Sequence, residues 1–252
     1  MYNIERQRQI LQILSEKKRC SVGELAKLLY TSEATVRRDL NALAAEGRLQ
    51  KVFGGALLCE SYAEEVPFAV RKSDRVESKQ RICAAAASLL REGMTLFLDA
   101  STTPEQLVPH LKRFHHLQIV TNNPRLPLLL ADTTLEVYST GGRLSHSSQA
   151  YVGGEAEDVI ERMNADLFFF STRGVTQQGL ITDSAQMECR LKQRMLAHSA
   201  LSCFLCDSEK IGQAYMCTVA SCTEVDYVFS DMPLPVALLG KKQRSEAERL
   251  GS

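Results

Sequence analysis

The chain has 252 residues, 30 Lys and Arg against 30 Asp and Glu, a formal net charge of zero at pH 7 and 44% hydrophobic residues. That length exceeds one small domain and suffices for two units, each with its own core. No apolar run approaches the roughly 18 residues of a membrane span, and the charged N-terminus lacks a signal-peptide layout, so a cytoplasmic protein with no membrane partner is expected.

From Ser21 the chain reads Ser-Val-Gly-Glu-Leu-Ala, a capping box in which Ser21 and Glu24 satisfy the free amides of a helix start. Ser32 is a second N-cap candidate, ahead of Glu-Ala-Thr-Val-Arg-Arg-Asp-Leu. Only Leu29, Tyr30 and Thr31 separate the two helices, the short turn that lets the second enter a major groove. At about 100° per residue, Val36, Leu40 and Leu43 fall on one core stripe. Arg37 and Arg38 lie off it, where either can grip guanine or phosphate with two hydrogen bonds. Asp39 sits nearer the core and is expected to orient a neighbouring basic group. After Gly47, Arg48 to Val52 alternate towards Gly54-Gly55 as a β-wing would, with Lys51 as its phosphate contact. Candidate DNA contacts are therefore Ser32, Thr35, Arg37, Arg38 and Lys51.

An ordinary helical bundle with solvated arginines is the bland alternative. Residues 1–57 hold ten Lys and Arg against six Asp and Glu, so the rest of a neutral chain carries the matching acidic excess. A basic end on an acidic body favours nucleic acid at that end.

Residues 1–57 resemble the reader domain of the DeoR family of bacterial transcriptional regulators. The matching residues are Thr35, Arg37, Arg38, Asp39, Leu40, Gly47, Gly54, Gly55 and Ala56; Lys51 stands where Arg is usual and Phe53 where His is usual.

Beyond Leu57 the composition turns to acids, small residues and a proline without a sustained period, so residues 58–73 are read as a linker. Residues 74–252 then repeat an apolar strand, a polar turn and a helical stretch. The predicted strands are Met94 to Leu98, Leu117 to Val120, Leu135 to Tyr138, Asp166 to Phe170, Leu201 to Cys206 and Tyr227 to Phe229. Alternation of this kind implies a mostly parallel sheet covered on both faces. The expected fold is α/β, an N-terminal winged helix-turn-helix followed by a mostly parallel α/β sensor domain.

Ligands collect at the carboxyl ends of such strands. Those ends read Asp99-Ala-Ser-Thr-Thr103, Thr121-Asn-Asn123, Ser139-Thr-Gly-Gly-Arg143, Ser171-Thr-Arg-Gly174 and Asp207-Ser-Glu-Lys210. Any one of these loops is explained as turns and caps; five on one edge point to a ligand. Pro104 suits the first turn of a helix, which would place hydroxyls and amides at a helix start as a phosphate cradle. Arg143, Lys192 and Lys210 can neutralise an anion, so a small phosphorylated, hydroxylated ligand fits best.

The C-x-x-C of Cys203 and Cys206 lies in an apolar run read as a buried strand. Positions three apart on a strand point to opposite faces, which is wrong for one metal. The eight cysteines are read as small hydrophobes, with no metal and no cofactor expected. His115-His116 reads as a polar loop.

The body, from Pro67-Phe68 to about Asp231, also resembles the DeoR-family sensor domain, which is similar in fold to ribose-5-phosphate isomerase and binds phosphorylated sugars or their relatives. Matches are Arg71, Lys79, Asp99, Thr102, Thr103, Thr121, Asn122, Gly141, Gly142, Gly174, Gly179, Leu180, Glu188, Lys192, Met195, Asp207 and Lys210; Ser101 stands where Gly is commoner, and Glu209 replaces a small polar residue. The implied effector site is Asp99, Ser101, Thr102, Thr103, Asn122, Gly141, Gly142, Arg143, Gly174, Glu188, Lys192, Asp207 and Lys210.

The reading is a sequence-specific DNA-binding repressor of a carbohydrate-utilisation operon, not an enzyme, controlled by a phosphorylated sugar. Its partners are double-stranded operator DNA and a second copy of itself, as a dimer or tetramer, because one winged helix covers few base pairs. Two alternatives are a phosphosugar isomerase-like enzyme with a fused helical arm, using Asp99, Glu188, Asp207 and Lys210 to move protons, and an architectural DNA-binding protein whose body only oligomerises.

Overall fold

The computed structural model describes residues 3–17, 19–45, 49–52, 55–57 and 68–250. The chain divides into two compact units, Met1–Pro67 and Phe68–Ser252.

The first unit runs α1 (Asn3–Lys17), β1 (Arg19–Ser21), α2 (Val22–Leu28), α3 (Glu33–Ala45), β2 (Gln50–Val52) and β3 (Gly55–Leu57). Ser21 and Glu24 form the expected capping box at the start of α2. At the start of α3 the Thr35 amide donates to Ser32 Oγ at 3.2 Å. Val36, Leu40 and Leu43 are buried and join Ile10, Leu14 and Leu25 in one cluster. The strands pair antiparallel in the order β1-β3-β2. Gly55 has a steric reason, since a Cβ there would meet the Cys20 carbonyl. Gly47, Arg48, Phe53 and Gly54, which carried the expected wing, lie outside the described residues.

The second unit begins with α4 (Phe68–Ser73) and α5 (Val76–Ala86), followed by β4 (Thr95–Leu98), α6 (Val108–Leu111), β5 (Gln118–Thr121), α7 (Leu126–Leu129), β6 (Glu136–Ser139), β7 (Arg143–Ser145), β8 (Ala150–Val152) and α8 (Gly154–Glu161). It continues with β9 (Ala165–Phe170), β10 (Gly174–Val175), β11 (Leu180–Asp183), α9 (Gln186–Ala197), β12 (Ser199–Cys206), β13 (Cys217–Ser221), β14 (Tyr227–Ser230) and α10 (Lys241–Leu250). All six predicted strands appear, shifted at their ends by a residue or two, and form one sheet in the order β14-β12-β9-β4-β5-β6. Every pairing in it is parallel. Both faces are covered, so side chains alternate between two cores: Phe168 and Phe170 join one cluster, Leu167 and Phe169 the other. Each such buried side chain contributes roughly 1.5–3 kcal/mol.

The strand order reverses between β4 and β9, the first and fourth strands of the sheet in chain order. That reversal is where an open α/β sheet leaves a crevice at its strand ends. A smaller sheet, β10-β11-β13, was not legible in the sequence; it carries Asp183 to the crevice.

Of the stretch read as linker, residues 58–67 lie outside the described residues. Phe68–Ser73 form α4 and belong to the second unit. Phe68 is buried, with the Arg125 guanidinium 3.7 Å over its ring, and Lys72 reaches Glu105 at 2.8 Å. Six residues are too few to show a helical period, and distant partners hold them, including the Ser147 carbonyl, which accepts from the Phe68 amide at 3.3 Å.

Candidate functional site

The DNA-facing candidates lie on α3 and the wing. Arg37 and Arg38 are both exposed. Arg37 pairs with Glu33 at 3.1 Å, with side chains 62% and 55% exposed; an exposed pair of this kind is worth well under about 1 kcal/mol and yields readily to a phosphate. Ser32 Oγ and Thr35 Oγ1 lie 2.9 Å apart and hold the helix start. Lys51 is on β2. Asp39 is buried and accepts from Arg6 of α1, Nε at 2.5 Å and Nη2 at 3.2 Å, so the basic group it orients lies 33 residues away.

In the second unit, the loops after β4 and β9 meet. Asp99 is buried, and burial pushes its carboxyl above the ordinary value despite Lys192 and the bonds from Ser101. Ser101 Oγ lies 2.6 Å from Asp99 Oδ2 and 3.0 Å from the Ser171 carbonyl. Lys210 Nζ donates to Ser171 Oγ at 2.7 Å and lies 3.2 Å from Asp207. Opposite, Lys192 Nζ sits 3.1 Å from Asp183, 3.4 Å from Asp99 and 3.5 Å from Glu188. Burial alone would lower the lysine's pKa, but the three carboxylates reverse that and raise it above the ordinary value. One unbroken polar run therefore spans the crevice, from Lys192 through Asp99, Ser101 and Ser171 to Lys210.

Four buried polar atoms in this unit have no hydrogen-bond partner among the described residues: Thr103 Oγ1, Asn122 Oδ1, Ser184 Oγ and Glu188 Oε1. An unpaired buried polar atom costs about 1–3 kcal/mol, which a bound ligand can offset. Lys79, buried on α5, adds a second cation near Lys210. It donates to the carbonyls of Arg71 and Asp74, the latter at 2.6 Å, and burial followed by the Lys210 charge lowers it to about 8.

Other expectations change. Lys192 faces three carboxylates, so its charge is satisfied within the protein rather than left for an anion. Arg143 is exposed, and its guanidinium lies 2.7 Å from Sδ of Met187, the residue before Glu188 on α9. Pro104 opens a 3-10 turn, Pro104–Leu107, instead of a full helix, which weakens the predicted cradle. Gly174 admits the Gln213 carbonyl, which would lie 2.5 Å from a Cβ. Gly141 and Gly142 take φ of +60° and +101°, as a tight turn after β6 requires. Asp183 and Ser184 were missed, whereas Ser171 stood in an expected strand-end loop without being named as a contact: Asp183 ends a short strand like any other, and its partners are distant in sequence.

Cys203 packs into one core and Cys206 into the other, so they face opposite sides of β12 and cannot share a metal. Among the described residues no group of three His, Cys, Asp or Glu is placed to hold a metal ion, and no helix is long and apolar enough to cross a membrane. His115 and His116 lie in a loop, their amides donating to Glu92.

Residues 6–62 match the DeoR-like helix-turn-helix domain and residues 74–232 the DeoR C-terminal sensor domain. The chain is 32% identical over 251 residues to the HTH-type transcriptional regulator GlpR of Haloferax volcanii, covering 100% of this chain and 96% of that protein. It is 29% identical over 240 residues to the glycerol-3-phosphate regulon repressor of Escherichia coli, covering 95% of each. A solved ribose 5-phosphate isomerase A from Methanocaldococcus jannaschii aligns with 53% of each chain at 11% identity and a TM-score of 0.39. With both family domains present in order and full-length similarity to regulators, the chain belongs to the DeoR family and is a DNA-binding transcriptional regulator, not an enzyme.

Proposed function

We propose that the protein represses a carbohydrate-utilisation operon in the cytoplasm and that a phosphorylated sugar, or a related phosphorylated polyol, controls its operator affinity. The observation that carries this reading is the polar run at the sheet's reversal point. Its Lys210 end, with the Thr103 hydroxyl and Lys79 nearby, suits a phosphate. Its other end offers Asp99, Glu188 Oε1 and Asn122 Oδ1, acceptors for sugar hydroxyls. The similarity to a glycerol-3-phosphate regulon repressor supports both the repressor role and the ligand class. Ser32, Thr35, Arg37, Arg38 and Lys51 contact the operator, and two or four copies read repeated half-sites.

A ligand changes operator affinity only by binding two arrangements of the body unequally, with a usual coupling of about 1–3 kcal/mol. Thermal-shift titration with sugar phosphates and their unphosphorylated counterparts tests the site. Phosphorylated ligands should raise the melting temperature and shift operator affinity, and Lys210→Ala should lose both responses. An equal response to unphosphorylated sugars, or an unchanged response in Lys210→Ala, would refute the assignment. Sedimentation showing a dominant monomer at micromolar concentration, still bound stoichiometrically to one site, would refute the assembly.

A further inference from the structure

We propose that Tyr30 is a DNA contact, its phenol donating a hydrogen bond to a backbone phosphate beside the recognition helix. Helix α2 ends in a Schellman cap: the Thr31 amide donates to the Ala26 carbonyl at 3.0 Å and the Tyr30 amide to the Lys27 carbonyl at 3.3 Å. That cap places Tyr30 at φ +51°. Glycine is the usual residue there, because a Cβ in the left-handed region crowds its own backbone. A bulky residue at such an angle is a genuine outlier that asks for a reason.

The fold supplies none. The Tyr30 side chain is 97% exposed, and among the described residues its hydroxyl has no hydrogen-bond partner. The ring instead shares one open recess with Lys27, Thr31, Ser32 and Glu33, at the very start of α3. In helix-turn-helix docking the first helix crosses the DNA backbone while the second enters the groove. A side chain on the turn between them meets phosphates, and tyrosine is among the donors that reach them. The inference rests on the DNA-binding assignment of this unit and extends it to a residue outside the recognition helix.

The test uses the full chain, a mixed-sequence DNA duplex as probe, and two variants measured by fluorescence anisotropy and thermal melting. Phosphate contacts carry no sequence information, so the mixed duplex reports them directly. Tyr30→Gly relieves the backbone and should raise the melting temperature of the first unit by about 4 °C or more. Tyr30→Phe keeps the ring and the backbone angle. Both should weaken duplex binding about tenfold, as expected for losing a hydrogen bond to a charged group. Tyrosine releases no counterion, so the salt slope should match that of the parent. The proposal is overturned if either variant binds as tightly as the parent, or if Tyr30→Gly melts lower. A parent that bound no duplex would overturn the DNA-reading assignment first, and this contact with it.

Discussion

Two buried aspartates and the partly buried Glu188 share one lysine, and its removal has a definite sign in both stability and pH. Lys192 Nζ lies 3.1 to 3.5 Å from Asp183, Asp99 and Glu188, and the lysine and the two aspartates have side chains no more than 4% exposed. Lys192→Met keeps the length and the apolar stem but leaves the carboxylates facing one another, with Arg173 still 3.8 Å from Asp183. Stripping one partner from a buried ion pair costs about 3–5 kcal/mol, set against a total stability of about 5–15 kcal/mol. The variant should therefore fold, with a melting temperature for the second unit lowered by roughly 6–20 °C.

The pH dependence follows from the same group. In the parent, burial pushes Asp183 up, but Lys192, Arg173 and the Ser184 amide outweigh it and hold the carboxyl below the ordinary value. A carboxylate held low contributes stability above its unfolded pKa, and that stability is lost as pH falls through the folded value. Without Lys192 burial dominates, the folded pKa rises above the unfolded one, and the carboxylate destabilises the fold as pH rises. The parent-to-variant gap should therefore narrow between pH 7.5 and 5. Urea unfolding followed by circular dichroism at several pH values measures it. A gap under about 1 kcal/mol at pH 7, or one that is constant with pH, would refute the account.

Arg37→Ala and Arg38→Ala should each weaken operator binding by about 1–3 kcal/mol for a lost bidentate contact, with an unchanged circular dichroism spectrum; gel-shift titration at fixed salt checks this. Arg6→Ala and Asp39→Ala, combined in a double-mutant cycle read by thermal unfolding, should show a coupling of about 0.5–3 kcal/mol, because the two groups meet only when α1 packs on α3; additive losses would exclude that contact. Burial pushes the Cys206 thiol to about 12 and Cys203 well above its ordinary value. Maleimide should therefore label neither in the native protein at neutral pH and both after unfolding, as mass spectrometry of digests would record.

What was legible in the sequence is what is local in the chain. The Ser21 and Ser32 caps act within three residues, and the Val36, Leu40 and Leu43 stripe repeats at helical spacing. The six strands show as short apolar runs, and the polar strand ends follow them directly. The opposite-facing Cys203 and Cys206 follow from the two-residue period of a strand alone. The five polar strand ends on one edge suggested a small phosphorylated ligand, and the family resemblance implied the same class. Tertiary structure decided everything that depends on which distant segments meet. It set the order β14-β12-β9-β4-β5-β6, and with it the junction of the β4 and β9 loops at Ser101 and Ser171. It turned Lys192 from an expected anion ligand into the partner of Asp99 and Asp183, the first of them 93 positions away in the chain. It also ordered Phe68–Ser73 into a helix through Arg125 and Glu105. The physical reason is common to all three: a charge or a ring is held by whatever lies within a few ångströms, and periodicity along the chain carries no information about neighbours brought there by folding.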